Sequence, residues 1–185
     1  MGEPRGPIIT RARGPIFTIY DQDDVCLECK DPEFLHVFTD GGGNCGPASL
    51  GVVVVDKGVT IMTLGMYLGD NLTNNIAELQ AIWKGLKLVK HLRKPVRIYS
   101  DSSYSINSLC GVFQGRRNRD LIDPMIEYIK QYPLTVEFVK VKGHTNILFH
   151  DIADSIASHL LQQGKGGRKQ KKSKKTVIKE RRQNK

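Results

Sequence analysis

Four acidic side chains occur where a carboxylate could do chemistry. Asp40 comes shortly after the apolar run FLHVF, and Asp101 directly follows the run VRIYS. Glu78 lies in the segment TNNIAEL at the start of a predicted helix, and Asp154 lies in a predicted helix further along the chain. Carboxylate oxygens are the ligands that hard divalent cations prefer, and such cations assist hydrolysis. Because these acids are far apart in sequence, they form one site only if the fold brings them together.

Simpler structural roles are open to several of these acids. Asp40, at the end of a predicted strand, could form an Asx turn. Glu78 follows Asn75 by three residues and fits a capping box, in which the Glu side chain turns back to the backbone. Asp151 is an alternative to Asp154 as the fourth acid, since it lies three residues earlier on the same predicted helix. The residues alone leave these alternatives open.

The elements that must position the acids begin with strands. The apolar runs at 34–38 and 50–55 flank Gly41-Gly42-Gly43, a pattern typical of a strand, a turn and a returning strand. A second turn, Asp56-Lys57-Gly58, separates the run at 50–55 from the run at 59–68. The sequence therefore predicts that three antiparallel strands come first.

Helical spacing of apolar residues appears after these strands. Asn71 to Asn75 offer N-cap residues before a helix predicted over 76–91. The remaining predicted elements are a strand at 96–99, helices at 102–110 and 120–131, a strand at 134–141 and a helix at 151–163. This order predicts an α/β fold whose mixed sheet has an antiparallel half and is covered by helices.

The charge of the chain is concentrated at one end. The whole sequence of 185 residues carries a formal charge of +9, but residues 164–185 contain 11 Lys or Arg and one Glu. The remaining 163 residues carry 17 basic and 18 acidic side chains, so their net charge is −1. We therefore predict an N-terminal extension with little structure (1–33), a folded domain that carries the four acids (34–163) and a disordered basic tail (164–185).

Within the extension, Ile16 to Tyr20 is a candidate strand for a sheet edge. Cys26 and Cys29 have the spacing of zinc ligands, but no second pair follows, and we predict no metal there. There is no apolar stretch typical of a membrane span or a signal peptide. We therefore expect an intracellular protein, cytoplasmic or nuclear, because the basic tail also suits a nuclear-localisation signal.

Taken together, five segments resemble ribonuclease H type 1: FTDGGGNCGPASLG, TNNIAELQA, IYSDSSY, NRDLI and VKGHTNILFHDIADSIA. The resemblance covers roughly residues 35–163 and implies a ribonuclease H-like fold, with a five-stranded mixed sheet flanked by helices. It also implies four metal-binding catalytic acids, at Asp40, Glu78, Asp101 and Asp154. A catalytic histidine of a flexible loop falls on His144.

The resemblance further implies contacts to an RNA/DNA hybrid. These fall on short polar side chains and open backbone, which can meet 2′-hydroxyls and phosphates: Gly41, Asn44, Thr73, Asn74, Asn75 and Asn118. The same residue types also make turns and helix caps. The chain departs from many bacterial members, because there is no room for an extra basic helix between Asp101 and Asn118. The basic tail is predicted to bind nucleic-acid phosphates instead.

The implied activity is endonucleolytic hydrolysis of the RNA strand, which leaves 5′-phosphomonoesters. Crowded carboxylates need cations to ionise together, and Mg²⁺ suits them, with Mn²⁺ as a substitute. Two ions about 4 Å apart would activate the attacking water and stabilise the leaving 3′-oxygen. His144 would help proton transfer or product release. The alternative is a non-catalytic RNA-binding module of a larger assembly. The residues do not indicate an oligomeric state, and a monomer is expected.

Overall fold

The computed structural model describes residues 17–19, 29–143 and 147–164, and for residues 17–19 and 44 it describes the backbone alone. The predicted loop histidine His144 and the basic tail beyond Gly164 lie outside these ranges. Within them, no helix is both long and apolar enough to cross a bilayer.

In the part of the chain that the structure describes, five strands form one mixed sheet. They are β1 (Phe17–Ile19), β2 (Leu35–Asp56), β3 (Val59–Thr73), β4 (Val96–Ser100) and β5 (Val136–Lys140). Their order across the sheet is β1-β5-β4-β2-β3. β2 and β3 are antiparallel, whereas β4 is parallel to both β2 and β5, and β1 is parallel to β5. The predicted mixed sheet with antiparallel strands first is confirmed, and β1 is the edge strand considered at Ile16 to Tyr20.

The long strand β2 contains both of the first two predicted strands. Its first part, Leu35 to Phe38, pairs with β4. Its later part, Asn44 to Asp56, pairs with β3. The chain reverses around Cys45, whose φ is 47°, and a Cβ on Gly43 would lie 3.0 Å from the Cβ of Ala48. The predicted turn at Gly41 to Gly43 is therefore wrong. Gly41 to Gly43 still belong to β2, so the strand continues past Asp40 before the chain reverses.

Within the described residues, four helices cover the sheet. They are α1 (Asn74–Val89), which continues as a 3₁₀ turn (Lys90–Leu92), α2 (Ser103–Leu109), α3 (Arg119–Lys130) and α4 (148–164). Thr73 caps α1, because its Oγ1 accepts a hydrogen bond from the Ile76 amide at 3.4 Å. The chain passes from α2 to α3 without another helix, as the sequence predicts.

The core has two halves, one on each face of the sheet. Alternate residues of a strand point to opposite faces, so Val37 and Ile98 pack with α1, α2 and α3 on one side. Phe38 and Tyr99 face the other side, where Ala153 of α4 packs. Apolar side chains make up most of both halves, and the alternation along each strand fixes which face of the sheet the following residues take.

Candidate active site

Asp40 and Asp101 are brought together by the parallel pairing of β2 and β4. Phe38 lies opposite Tyr99 in the register, and their rings stack with centroids 4.3 Å apart. Asp40 and Asp101 each come two residues later, so both point to the α4 side of the sheet at the same edge. Asp40 is 9% exposed, whereas Asp101 is half-buried. The two predicted strand acids therefore form a pair.

Glu78 joins this pair because α1 approaches β2 very closely. A Cβ on Gly41 would collide with the backbone nitrogen of Glu78, so only glycine leaves room for the helix at this point. Glu78 is 4% exposed. Burial raises the pKa of Glu78 well above its usual range, and the nearby carboxylates of Asp40 and Asp101 raise it further. These surroundings therefore favour the neutral form of Glu78 more than water does, and a bound cation would oppose that effect.

Asn74 connects Glu78 to the turn of β2. The Gly43 amide donates to Asn74 Oδ1 at 3.1 Å, and Asn74 Nδ2 lies 3.5 Å from Glu78 Oε1. The capping-box alternative for Glu78 is wrong, since Thr73 is the N-cap and the Glu78 carboxylate faces the two aspartates. A predicted substrate residue thus also positions a predicted metal ligand.

His150 is a member of the cluster that sequence reasoning missed. It lies in the first turn of α4, is 3% exposed, and places Nε2 3.7 Å from Asp101 Oδ2. Burial alone would lower the pKa of His150, but the carboxylates of Asp101, Asp40 and Asp151 outweigh burial and raise it. In turn, His150 lowers the pKa of Asp101. The available signal was its place one helical turn before Asp154 in the segment FHDIAD.

Asp154 lies on α4, and its described hydrogen bond is local. Ser158 Oγ donates to Asp154 Oδ1 at 3.1 Å, one turn further along the helix. Of the two acids on α4, it is Asp151 whose charge helps to raise the pKa of His150. The role of Asp154 as the fourth metal ligand therefore stays a prediction.

The donor atoms of the cluster suit a divalent cation. Ligand atoms of Asp40, Asp101 and His150 all lie within 4.8 Å of one another. Among the described residues, Glu78 Oε2 and His150 Nδ1 are buried without a hydrogen-bond partner. Buried polar atoms without partners are costly, and a cation among the carboxylates would offset that cost and their mutual repulsion.

Of the predicted substrate residues, Gly41 and Asn74 contact Glu78 of the cluster. Thr73 and Asn75 are exposed at the start of α1, and Asn74 is exposed beside them. Asn118 has a φ of 58° and donates through Nδ2 to the Tyr104 hydroxyl at 2.9 Å, which holds the loop before α3. The side chain of Asn44 lies outside the described part of the chain, as does His144.

Comparison with known proteins identifies the family. The model of the RNase H family matches residues 32–162. The chain belongs to the RNase H family. A protein called ribonuclease H from Caldanaerobacter subterraneus is 32% identical over 146 residues, which cover 70% of this chain and 92% of that protein. Membership of the RNase H family and the names of its relatives make the chain a nuclease of the ribonuclease H type.

Solved structures of RNase H proteins share this fold. The crystal structure of LC11-RNase H1 in complex with an RNA/DNA hybrid superposes with a TM-score of 0.59 at 22% identity. The superposition covers 69% of this chain and 99% of the LC11-RNase H1 chain. The N-terminal RNase H domain of rv2228c from Mycobacterium tuberculosis gives a TM-score of 0.64 at 21% identity, covering 72% of this chain and 97% of that one.

Proposed function

We propose that the protein is an endonuclease that hydrolyses the RNA strand of RNA/DNA hybrids with the help of two Mg²⁺ ions. The observation that carries this proposal is the convergence of Asp40, Asp101 and Glu78 at one edge of the sheet. In this arrangement Glu78 resists ionisation because of burial and the adjacent carboxylates. The family relationship and the complex of LC11-RNase H1 with an RNA/DNA hybrid support the choice of substrate.

The cations would supply an activated water and stabilise the leaving oxygen. Asp40, Glu78 and Asp101 would hold them from three different elements, and Asp154 would complete the set from α4. Gly41 and Asn74 keep Glu78 in place, since the helix backbone can approach only a glycine there. The exposed polar groups of Thr73 and Asn75 would receive the backbone of the hybrid.

His144 would serve as the group that moves a proton or helps the product leave. This histidine follows a strand and a glycine in the sequence, and imidazole changes its charge near neutral pH. Its loss should therefore lower the rate less than the loss of any of the acids.

Cleavage of an end-labelled RNA/DNA hybrid with Mg²⁺ tests the proposal. We expect cut RNA with 5′-phosphate ends, and no cutting of duplex DNA of the same sequence. Asp40→Asn and Asp101→Asn should each lower the rate at least about a thousandfold, because several kcal/mol of transition-state stabilisation would be lost. Both variants should remain folded, since Asn keeps the size of Asp, and removing the Asp40 charge relieves its repulsion with the neighbouring carboxylates.

Glu127→Gln is the matched control, because Glu127 is exposed on α3 and pairs only with the nearby Lys130 in its described salt bridge. It should cleave at the wild-type rate. Substantial cleavage by Asp40→Asn would contradict the assignment of the site. Tight binding of the hybrid without any cleavage by the wild type would instead favour the non-catalytic module.

A further inference from the structure

His150 lies on the helix that packs against the sheet, and it faces the carboxylates of Asp40 and Asp101. Asp40 and Asp101 come from the sheet, whereas His150 comes from the first turn of α4. One ligand atom from each of the three residues lies within 4.8 Å of the other two. The cluster therefore contains a nitrogen donor as well as oxygen donors.

The described contacts of His150 do not satisfy its imidazole. The side chain is 3% exposed, and Nδ1 has no hydrogen-bond partner among the described residues. Nε2 is 3.7 Å from Asp101 Oδ2, which is too long for a hydrogen bond. Two ligands that each lie about 2.1 Å from one ion can be up to about 4.2 Å apart, so this gap fits a shared cation.

We propose that His150 is a nitrogen ligand to a cation held by Asp40 and Asp101, which gives this site a preference for transition-metal ions such as Mn²⁺ over Mg²⁺. The inference rests on the proposed metal-dependent function of the same site. Imidazole is a softer ligand than carboxylate and binds Mg²⁺ poorly, whereas first-row transition ions accept it readily. A purely oxygen-lined site suits Mg²⁺ and Mn²⁺ alike, so the imidazole is the group that would favour Mn²⁺.

The rival explanation is that His150 only supplies positive charge beside Asp101. In that case the imidazole stays outside the coordination shell and positions the carboxylate. The two explanations differ in one measurable respect, which is a direct bond between a ring nitrogen and the ion.

Pulsed electron paramagnetic resonance of the full chain with bound Mn²⁺, in the absence of nucleic acid, detects this bond. We expect modulation from a directly coordinated ¹⁴N in the wild type, and a changed pattern when histidine is labelled with ¹⁵N. His150→Asn should lose the signal. His159→Asn, on the exposed side of the same helix, and His144→Asn should keep it.

Two results would overturn the inference. One is a wild-type spectrum without coordinated nitrogen, and the other is a signal that His144→Asn removes and His150→Asn keeps. If His150→Asn does not fold, the double variant His144→Asn/His159→Asn decides the question. It keeps His150, while His36 is bonded to Tyr99 in the core and His91 lies beyond the far end of α1.

The affinities of the metal-free chain for the two ions give a second test. Mn²⁺ is titrated directly and Mg²⁺ by competition. His150→Asn should weaken Mn²⁺ binding at least about tenfold and Mg²⁺ binding clearly less. Equal losses for both ions would show that His150 acts only through Asp101.

Failure of this inference is distinguishable from failure of the proposed function. A chain that cleaves the hybrid with Mg²⁺ but shows no nitrogen coupling keeps its function and loses the His150 ligand. A chain that shows the nitrogen coupling but leaves the hybrid uncut keeps the His150 ligand and loses the proposed function.

Discussion

Glu78 is the residue whose surroundings differ most from those of an ordinary carboxylate. It lies on α1 with its side chain buried near two aspartates, and burial and the two negative charges both raise its pKa. Replacement by Gln keeps the size and one acceptor oxygen while removing the ionisable group. We predict that Glu78→Gln stabilises the metal-free protein at neutral pH by about 1 kcal/mol, as measured by urea unfolding.

The raised pKa of Glu78 makes the stability of the wild type fall as pH rises. The folded state holds the Glu78 proton more tightly than the unfolded chain, whose Glu pKa is about 4.3. The stability contributed by the protonated group is therefore present at low pH and is lost as pH rises towards the raised folded pKa. Glu78→Gln should remove this loss, whereas Glu127→Gln should leave the pH profile unchanged. A profile identical to that of the wild type in Glu78→Gln would contradict the prediction.

Two aspartates of α4, Asp151 and Asp154, are candidates for the fourth metal ligand. Asp151 and Asp154 are turned by about 300° from each other around α4, so they lie on neighbouring lines of the helix. We predict that Asp154→Ala lowers hybrid cleavage at least about a hundredfold, as the loss of a metal ligand should, and that Asp151→Ala changes it little. The reverse pattern would place Asp151 in the site and show that the chosen register is wrong.

At the scale of elements, the packing of α1 on β2 sets the distance between Glu78 and Asp40. A Cβ on Gly41 would meet the backbone of Ala77 and Glu78, which cannot move aside as a flexible side chain can. We predict that Gly41→Ala destabilises the protein by about 1–3 kcal/mol and also lowers cleavage, because the helix must shift. Thermal unfolding and the hybrid assay measure the two effects.

Gly115→Ala is the matched control for this substitution. Gly115 lies in the exposed loop before α3, and an added Cβ would have nothing within 4 Å. Its effect on stability should stay within about 0.5 kcal/mol. Equal effects of the two substitutions would show that α1 does not need the close approach at Gly41.

At the scale of the whole molecule, the basic tail is separated from a nearly neutral remainder. Residues 165–185 contain all 11 Lys and Arg of the predicted tail, and they follow α4 directly. We propose that this segment binds phosphates without sequence preference and replaces the basic helix that is missing between α2 and α3. Each phosphate that the tail neutralises releases counterions, so binding that involves the tail must weaken with salt.

Deletion of residues 165–185 tests the role of the tail. We predict weaker hybrid binding and a flatter dependence of log affinity on log salt, by about 0.7–0.9 for each phosphate that the tail no longer neutralises. The cleavage rate at saturating hybrid should be nearly unchanged, because the deletion leaves α4 and the acids intact. A full-length variant with the six Lys and Arg of 168–175 replaced by Ser should change binding and the salt slope in the same direction but by less, because five basic residues of the tail remain. Equal salt slopes would favour targeting, such as nuclear import, as the role of the tail.

The sequence by itself determined the order of elements, the two strand acids and the candidate Glu78. These follow from local patterns, since apolar runs and helical spacing are legible in single segments. The motifs also predicted the mixed sheet and the family, both of which are confirmed.

Only the tertiary structure decided where β2 turns, why Gly41 is glycine, and that His150 faces Asp101. Each depends on contacts between distant segments: β3 extends the pairing of β2, α1 packs on Gly41, and α4 lies against the sheet edge. Glu78 likewise fits a helix cap in its own segment, and its raised pKa arises from acids on two other elements. Local patterns cannot carry such information, because burial and charge at a site depend on which surfaces meet.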